Sequence, residues 1–147
     1  MKSITPNAML PEPWPYILLI DDDEDDLEML SSSLEGLGVK TRSFESGEKA
    51  LFYLQLISDT AKLPVMVILD YNMPGMNGQQ ILISIKTNNV TKDIPVVMYS
   101  TCIPFFTKKA QLDLGALNCY IKPFSYIDFT TQVGIFKDLA YSFMPTN

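Results

Sequence analysis

Asp21, Asp22, Asp70, Ser100 and Lys122 stand at the ends of four short apolar runs, Tyr16–Ile20, Val65–Leu69, Val96–Tyr99 and Cys119–Ile121. Continuous apolar runs of this length read as strands buried on both faces of a parallel sheet. The carboxyl ends of such strands gather along one edge, where open α/β sheets place their sites. The pattern therefore predicts one pocket holding three carboxylates, a hydroxyl and an ammonium, which suits a divalent cation and a phosphoryl group rather than a hydrophobic ligand. Asp70, after five apolar residues, is costly unless it is paired, metal-bound or exposed at the sheet edge. If strands one and three are adjacent, as in the flavodoxin-like order, Asp21, Asp22 and Asp70 converge. Three like charges raise one another's pKa values, and a hard cation removes the conflict. Mg2+ prefers one or two carboxylates together with waters and phosphate oxygens. A lysine beside that set can bind a phosphoryl group as a point charge. Taken alone, Ser100 reads as a strand-end hydroxyl bonded to backbone and Lys122 as a solvated charge; their joint placement favours the site.

Asp21 and Asp22 open an acidic run that continues through Asp23, Glu24, Asp25 and Asp26. Asp23 to Asp26 read as acids loading a helix N-terminus, where they complement the macrodipole. A calcium loop needs Gly at its sixth position and Glu at its twelfth, and here those positions hold Asp26 and Ser32. The chain has no histidine, which removes Ser-His-Asp and Cys-His catalysis and imidazole-ligated zinc. Its two cysteines, Cys102 and Cys119, match no metal spacing and read as reduced thiols. A net charge of -6 argues against nonspecific binding to nucleic acid or anionic lipid, which needs a basic footprint. No signal-peptide pattern and no apolar run of spanning length is present, so a cytoplasmic protein without membrane insertion is expected.

The elements that must hold these residues alternate. The length of 147 residues with 47% hydrophobic and 19% charged residues fits one folded domain. Residues 1–15, with Pro6, Pro11, Pro13 and Pro15, read as an extended arm on which Trp14 serves as an anchor. Leu27, Leu30, Leu34 and Leu37 recur at helical spacing before Gly36 and Gly38 stop the pattern. Val39–Phe44 is a more amphipathic strand whose Lys40 and Arg42 suggest a sheet edge. Ser46 caps a helix carrying Ala50, Leu51, Leu54 and Ile57. A loop over 71–77 leads to a helix with Ile81, Leu82 and Ile85 on one face. Pro104 opens a fourth helix, and Phe129, Val133, Phe136, Ala140 and Phe143 mark a fifth. The count is (βα) five times: a doubly wound α/β sandwich with helices on both faces of a five-stranded parallel sheet. Residues 16–143 form the domain and 144–147 a tail, with no effector domain expected.

The same residues carry a family resemblance. Ile20-Asp21-Asp22, Leu69-Asp70-Tyr71-Asn72-Met73-Pro74 with Gly78, Pro95 to Thr101, Gly115-Ala116 and Lys122-Pro123-Phe124 resemble the receiver domain of bacterial two-component response regulators. The likeness spans Tyr16 to about Tyr141, with these motifs in receiver-like order and spacing. It implies the flavodoxin-like sheet order 2-1-3-4-5. It implies that Asp70 accepts a phosphoryl group from a phosphohistidine on a sensor histidine kinase or histidine phosphotransferase. Mg2+ would be held by Asp21, Asp22, Asp70 and the Asn72 main-chain carbonyl, and Ser100 and Lys122 would contact the phosphoryl oxygens. Such a protein is a signalling receiver in a phosphorelay, not a turnover enzyme, and catalyses only its own phosphorylation and slow dephosphorylation. It acts on a downstream protein, without direct nucleic-acid binding. The face of helix four, strand five and helix five rearranges, and it is the candidate surface for a homodimer. In this fold the bond preceding Pro123 can be cis.

Two departures stand out. Cys119 occupies the position, three before Lys122, where receivers carry a switch aromatic, and Tyr120 points to the opposite strand face. Cys102 occupies a position that tunes phosphoryl lifetime. Its thiol is a poor organiser of an attacking water, which points to a long-lived phosphoryl form. Phe105 and Phe106 are candidates for a partner surface. The rival readings are a pseudo-receiver scaffold that is never phosphorylated and a Mg2+-dependent aspartyl phosphatase. The second requires an Asp two residues after the nucleophile, where Asn72 stands.

Overall fold

The computed structural model describes residues 14–145, apart from the side chain of Phe106. Five strands and five helices alternate: β1 (Tyr16–Ile20), α1 (Glu24–Gly36), β2 (Lys40–Phe44), α2 (Gly47–Gln55), β3 (Met66–Leu69), α3 (Gly78–Thr87), β4 (Val96–Ser100), α4 (Phe105–Asp113), β5 (Asn118–Ile121) and α5 (Tyr126–Ser142), with one 3-10 turn over Thr60–Lys62. The sheet order is β2-β1-β3-β4-β5, every pair is parallel, and β2, with Lys40 and Arg42, is an edge. This is the expected flavodoxin-like order.

Period-2 alternation splits the strand side chains between two cores. Tyr16, Leu18, Ile20, Val67, Leu69, Val96, Met98 and Cys119 face α2 and α3, meeting Ala50, Tyr53, Leu54, Ile81, Leu82 and Ile85. Ile17, Leu19, Met66, Ile68, Val97 and Tyr99 face the apolar stripes of α1 and α5, meeting Leu27, Leu30, Leu34, Phe129, Val133, Phe136 and Ala140. Each such side chain, fully buried, contributes about 1.5–3 kcal/mol, so the sheet is a stiff platform for whatever stands at its edge. Helix starts are fixed by side-chain caps: Asp23 on α1, Ser46 on α2, an Asn77–Gln80 capping box on α3 and Ser125 on α5.

Helix boundaries differ from the sequence reading at four residues. Ile57 lies past the end of α2 yet is buried, because its side chain joins the core on the α2–α3 side of the sheet. Leu37 and Phe143 are the C-caps of α1 and α5 and are partly exposed. Pro104 is the N-cap of α4, not a first-turn residue, and gives it no side-chain cap bond. Residues 1–13 of the expected arm and the last two residues of the tail lie outside the described residues. Trp14 is described, and its indole N–H donates to the Leu63 carbonyl at 2.9 Å.

Among the described glycines, the tightest approach to backbone atoms is at the start of α3. A Cβ on Gly78 would stand 2.4 Å from the Asp70 carbonyl oxygen and 2.7 Å from the Tyr71 Cα. Both are backbone atoms at the end of a buried strand and cannot step aside cheaply. Gly78→Ala is therefore expected to destabilise the fold by about 2–3 kcal/mol in urea unfolding; an unchanged midpoint would show that α3 can retreat without cost.

Candidate functional site

Strand register brings the polar residues together. Ile20 pairs with Leu69, so Asp21 and Asp70 emerge side by side, and the Asp70 N–H donates to the Ile20 carbonyl at 2.9 Å. Ser100 pairs with Ile121, and the Lys122 N–H donates to the Ser100 carbonyl at 2.8 Å. The carboxylates of Asp21, Asp22 and Asp70 offer oxygens that all lie within 4.8 Å of one another. Asp21 and Asp70 are buried and Asp22 is exposed.

Lys122 crosses this group. Its Nζ stands 2.6 Å from Asp21 Oδ2, 2.9 Å from Asp26 Oδ2 and 3.7 Å from Asp70 Oδ2. The ammonium also lies 5.7 Å from the Tyr99 ring centroid. Burial alone would lower the Lys122 pKa, but the hydrogen bonds to Asp21 and Asp26 and the charges of Asp21 and Asp70 together outweigh it and raise it. Burial pushes the Tyr99 phenol up to about 12.

Asn72 ties the loop to two of the site groups. Its main-chain N–H donates to Asp70 Oδ1 at 3.2 Å. Its side-chain amide donates to Ser100 Oγ at 2.8 Å, and Ser100 is fully buried. Asp70 itself is pushed up to about 7, first by burial and then by the Asp21 carboxylate; Lys122 and the Asn72 N–H pull the other way. One ammonium does not neutralise three clustered carboxylates, and every donor offered is a hard oxygen. This donor set fits Mg2+.

Two groups here escaped the sequence reading. Asp26, assigned there to the helix dipole, bonds Lys122 instead. The signal was its place on α1, adjacent to Leu27 and one turn before Leu30, both buried, which turns it toward the sheet end. The Asn72 side chain was the other, since only its carbonyl entered the reading. The Lys122–Pro123 bond is not cis; among the described residues the one cis bond is Trp14–Pro15. Cys119 is buried on the α2–α3 side of the sheet, and burial raises its thiol pKa. Tyr120 is on the other face, edge-on to Phe136 at 5.3 Å. Cys102 is exposed. Phe105 is exposed, and the side chain of Phe106 lies outside the described ones.

The chain belongs to the response regulator receiver domain family, which matches residues 17–133. It is 33% identical over 114 residues to the two-component response regulator ORR3 of Oryza sativa subsp. indica, across 78% of this chain and 84% of that protein. A response regulator receiver domain from Rhodospirillum rubrum shares the fold with a TM-score of 0.76 at 28% identity, across 89% of this chain and 96% of that one. The phosphorylated cyanobacterial phytochrome response regulator RcpA is similar in fold, with a TM-score of 0.78 at 24% identity, across 89% of this chain and 96% of that one. The likeness thus reaches plant proteins as well as the bacterial receivers. The chain is a two-component receiver, and phosphorylation with a Mg2+ requirement is general in this family.

A charge conflict at Asp70 has a measurable consequence without metal. The folded state keeps the Asp70 proton to about pH 7, whereas the reference value is 3.8. Between those values the folded state binds more protons than the unfolded one, so stability falls as pH rises through that window. In EDTA, Asp70→Asn is expected to melt above the wild type at pH 8 by an amount worth about 2–4 kcal/mol, with the gap closing toward pH 4. Equal melting temperatures at pH 8 would contradict the assigned strain.

Proposed function

We propose that Asp70 is the phosphoacceptor of this receiver and that Lys122 and Ser100 are its phosphoryl-contacting groups. An Asp70 carboxylate oxygen attacks the phosphorus of a phosphohistidine on a sensor histidine kinase or histidine phosphotransferase. The bond from phosphorus to the imidazole nitrogen breaks, and an acyl phosphate forms on Asp70. The observation that carries this reading is the single ammonium of Lys122 set between Asp21 and Asp70, with the three carboxylates at one point of the sheet edge.

Asp21, Asp22, Asp70 and the Asn72 main-chain carbonyl would hold Mg2+. When bound, that ion supplies neutralisation of the charge spread over the equatorial phosphoryl oxygens. Lys122 balances the same charge from the other side as a point cation. Ser100 Oγ, held near Asp70 through Asn72, donates to one phosphoryl oxygen. The protein catalyses only its own phosphorylation and slow dephosphorylation. The exposed thiol of Cys102 favours a long-lived phosphoryl form, since it organises an attacking water poorly.

The receiver unit spans 16–143, and its output is a change of partner binding. Phe105, Ile121, Tyr126 and Ile127 are all exposed, and Phe124 is 96% exposed. Exposed apolar side chains in such number support a protein-binding role for the face of α4, β5 and α5, for a downstream protein or a second copy. A net charge of -6 supports a protein partner over direct contact with nucleic acid. No helix among the described residues is long and apolar enough to cross a membrane, and family membership supports a cytoplasmic site of action. A never-phosphorylated scaffold of this fold has no use for the acidic triad, Ser100 and Lys122 together.

The test is intact-protein mass after incubation with acetyl phosphate. We expect a gain of one phosphoryl group that requires Mg2+, survives acid, is lost in base and is absent from Asp70→Asn. A gain that persists in Asp70→Asn would move the acceptor elsewhere. No gain under any condition would favour the scaffold.

A further inference from the structure

Among the described residues Lys122 is the one cation at the site, and an ammonium has three N–H donors. Two of them are taken at hydrogen-bond distance, by Asp21 at 2.6 Å and Asp26 at 2.9 Å. The third partner, Asp70, stands at 3.7 Å, outside hydrogen-bond range. Asp26 is not one of the three carboxylates that converge. It belongs to the first turn of α1, where Asp23 Oδ1 accepts from its backbone N–H at 3.1 Å. That bond seats Asp26 on the first turn of α1, from which its carboxylate reaches Lys122. The Tyr99 ring lies under the ammonium at 5.7 Å.

We propose that Asp26 is a positioning residue for phosphoryl transfer, one that holds Lys122 off the Asp70 carboxylate. The inference rests on Asp70 being the phosphoacceptor. With Asp26 in place, Lys122 is close enough to balance charge on an incoming phosphoryl group. It is also too far away to tie up the attacking oxygen in a direct hydrogen bond. Without Asp26 the ammonium loses one of its two short contacts, and Asp70 is the carboxylate left within its reach. A lysine collapsed onto Asp70 must then be pulled away before the carboxylate attacks. Removing a negative charge also attracts an anionic donor, an effect opposite in sign that a neighbouring residue can calibrate. Asp25 belongs to the same helical turn, is exposed, and has no ion pair with Lys122 among the described residues.

The experiment compares wild type, Asp26→Asn, Asp26→Glu and Asp25→Asn with acetyl phosphate as donor at saturating Mg2+. The new bond is from Asp70 oxygen to phosphorus, and acetate leaves. The quantities read are the saturating rate constant and the donor concentration at half-maximal rate. Asp26→Asn is expected to lower the saturating rate about tenfold below Asp25→Asn, a loss on the scale of one charge-assisted hydrogen bond. The half-maximal donor concentration should not rise, and Asp26→Glu should restore most of the rate. Mg2+ affinity, followed by calorimetry, should be the same in Asp26→Asn and Asp25→Asn. A rate in Asp26→Asn equal to or above that of Asp25→Asn overturns the proposal, as does a loss that Asp26→Glu leaves unrepaired. Failure of the wild type itself to take up phosphoryl would overturn the phosphoacceptor reading, and this inference with it.

Discussion

The structure turns on a crowding of like charge at the end of a buried sheet. Asp21 and Asp70 leave adjacent strands at the same level, with Asp22 beside them, and among the described residues Lys122 alone opposes them. The conflict is built into the register, since Ile20 and Leu69 are paired and the residues after them have nowhere else to go. The cost is visible in Asp70, whose carboxyl is held up to about 7 by burial and by Asp21. A site that pushes a buried carboxyl toward the neutral form gains from any ligand that restores the balance, and a divalent cation does so most directly.

Everything around that point serves to keep it fixed. Strands buried on both faces leave little room for register slip. The missing side chain of Gly78 lets α3 start against the Asp70 carbonyl. Asn72, two residues past Asp70, reaches back to its carboxylate and across to Ser100. The two sheet faces carry different cargo. Cys119 lies among aliphatic residues on the α2–α3 side. The rings of Tyr99 and Tyr120 instead meet Phe136 of α5 edge-on, at 5.2 Å and 5.3 Å. In this receiver the Tyr99 ring that faces the Lys122 ammonium is thus on the α5 side of the sheet, and Cys119 offers no ring on the other.

Much of this was legible in the sequence, for a physical reason. A parallel strand buried on both faces is a run of apolar residues, and its end is marked by the first residue that must reach water or a partner. That rule located Asp21, Asp70, Ser100 and Lys122 and, with the family resemblance, the sheet order. The failures share a cause as well. Asp26 looked like a dipole-complementing acid because one-dimensional spacing does not reveal which way a helix's first turn faces. The side chain of Asn72 was invisible because its partner, Ser100, is 28 residues away on another strand. The ends of α1, α2 and α5 were misread by a residue or two, since an apolar side chain just past a helix end continues the periodicity without continuing the hydrogen bonding.

The most direct test of the central claim, that clustered carboxylates wait for a cation, is the melting temperature during a Mg2+ titration at pH 8 with ionic strength held constant by NaCl. The account predicts a saturable rise for the wild type that is lost when Asp21 and Asp22 are both changed to Asn, because ligand binding to the folded state alone stabilises it by mass action. A Mg2+ response no larger than that of NaCl, or one that survives the double substitution, would contradict it.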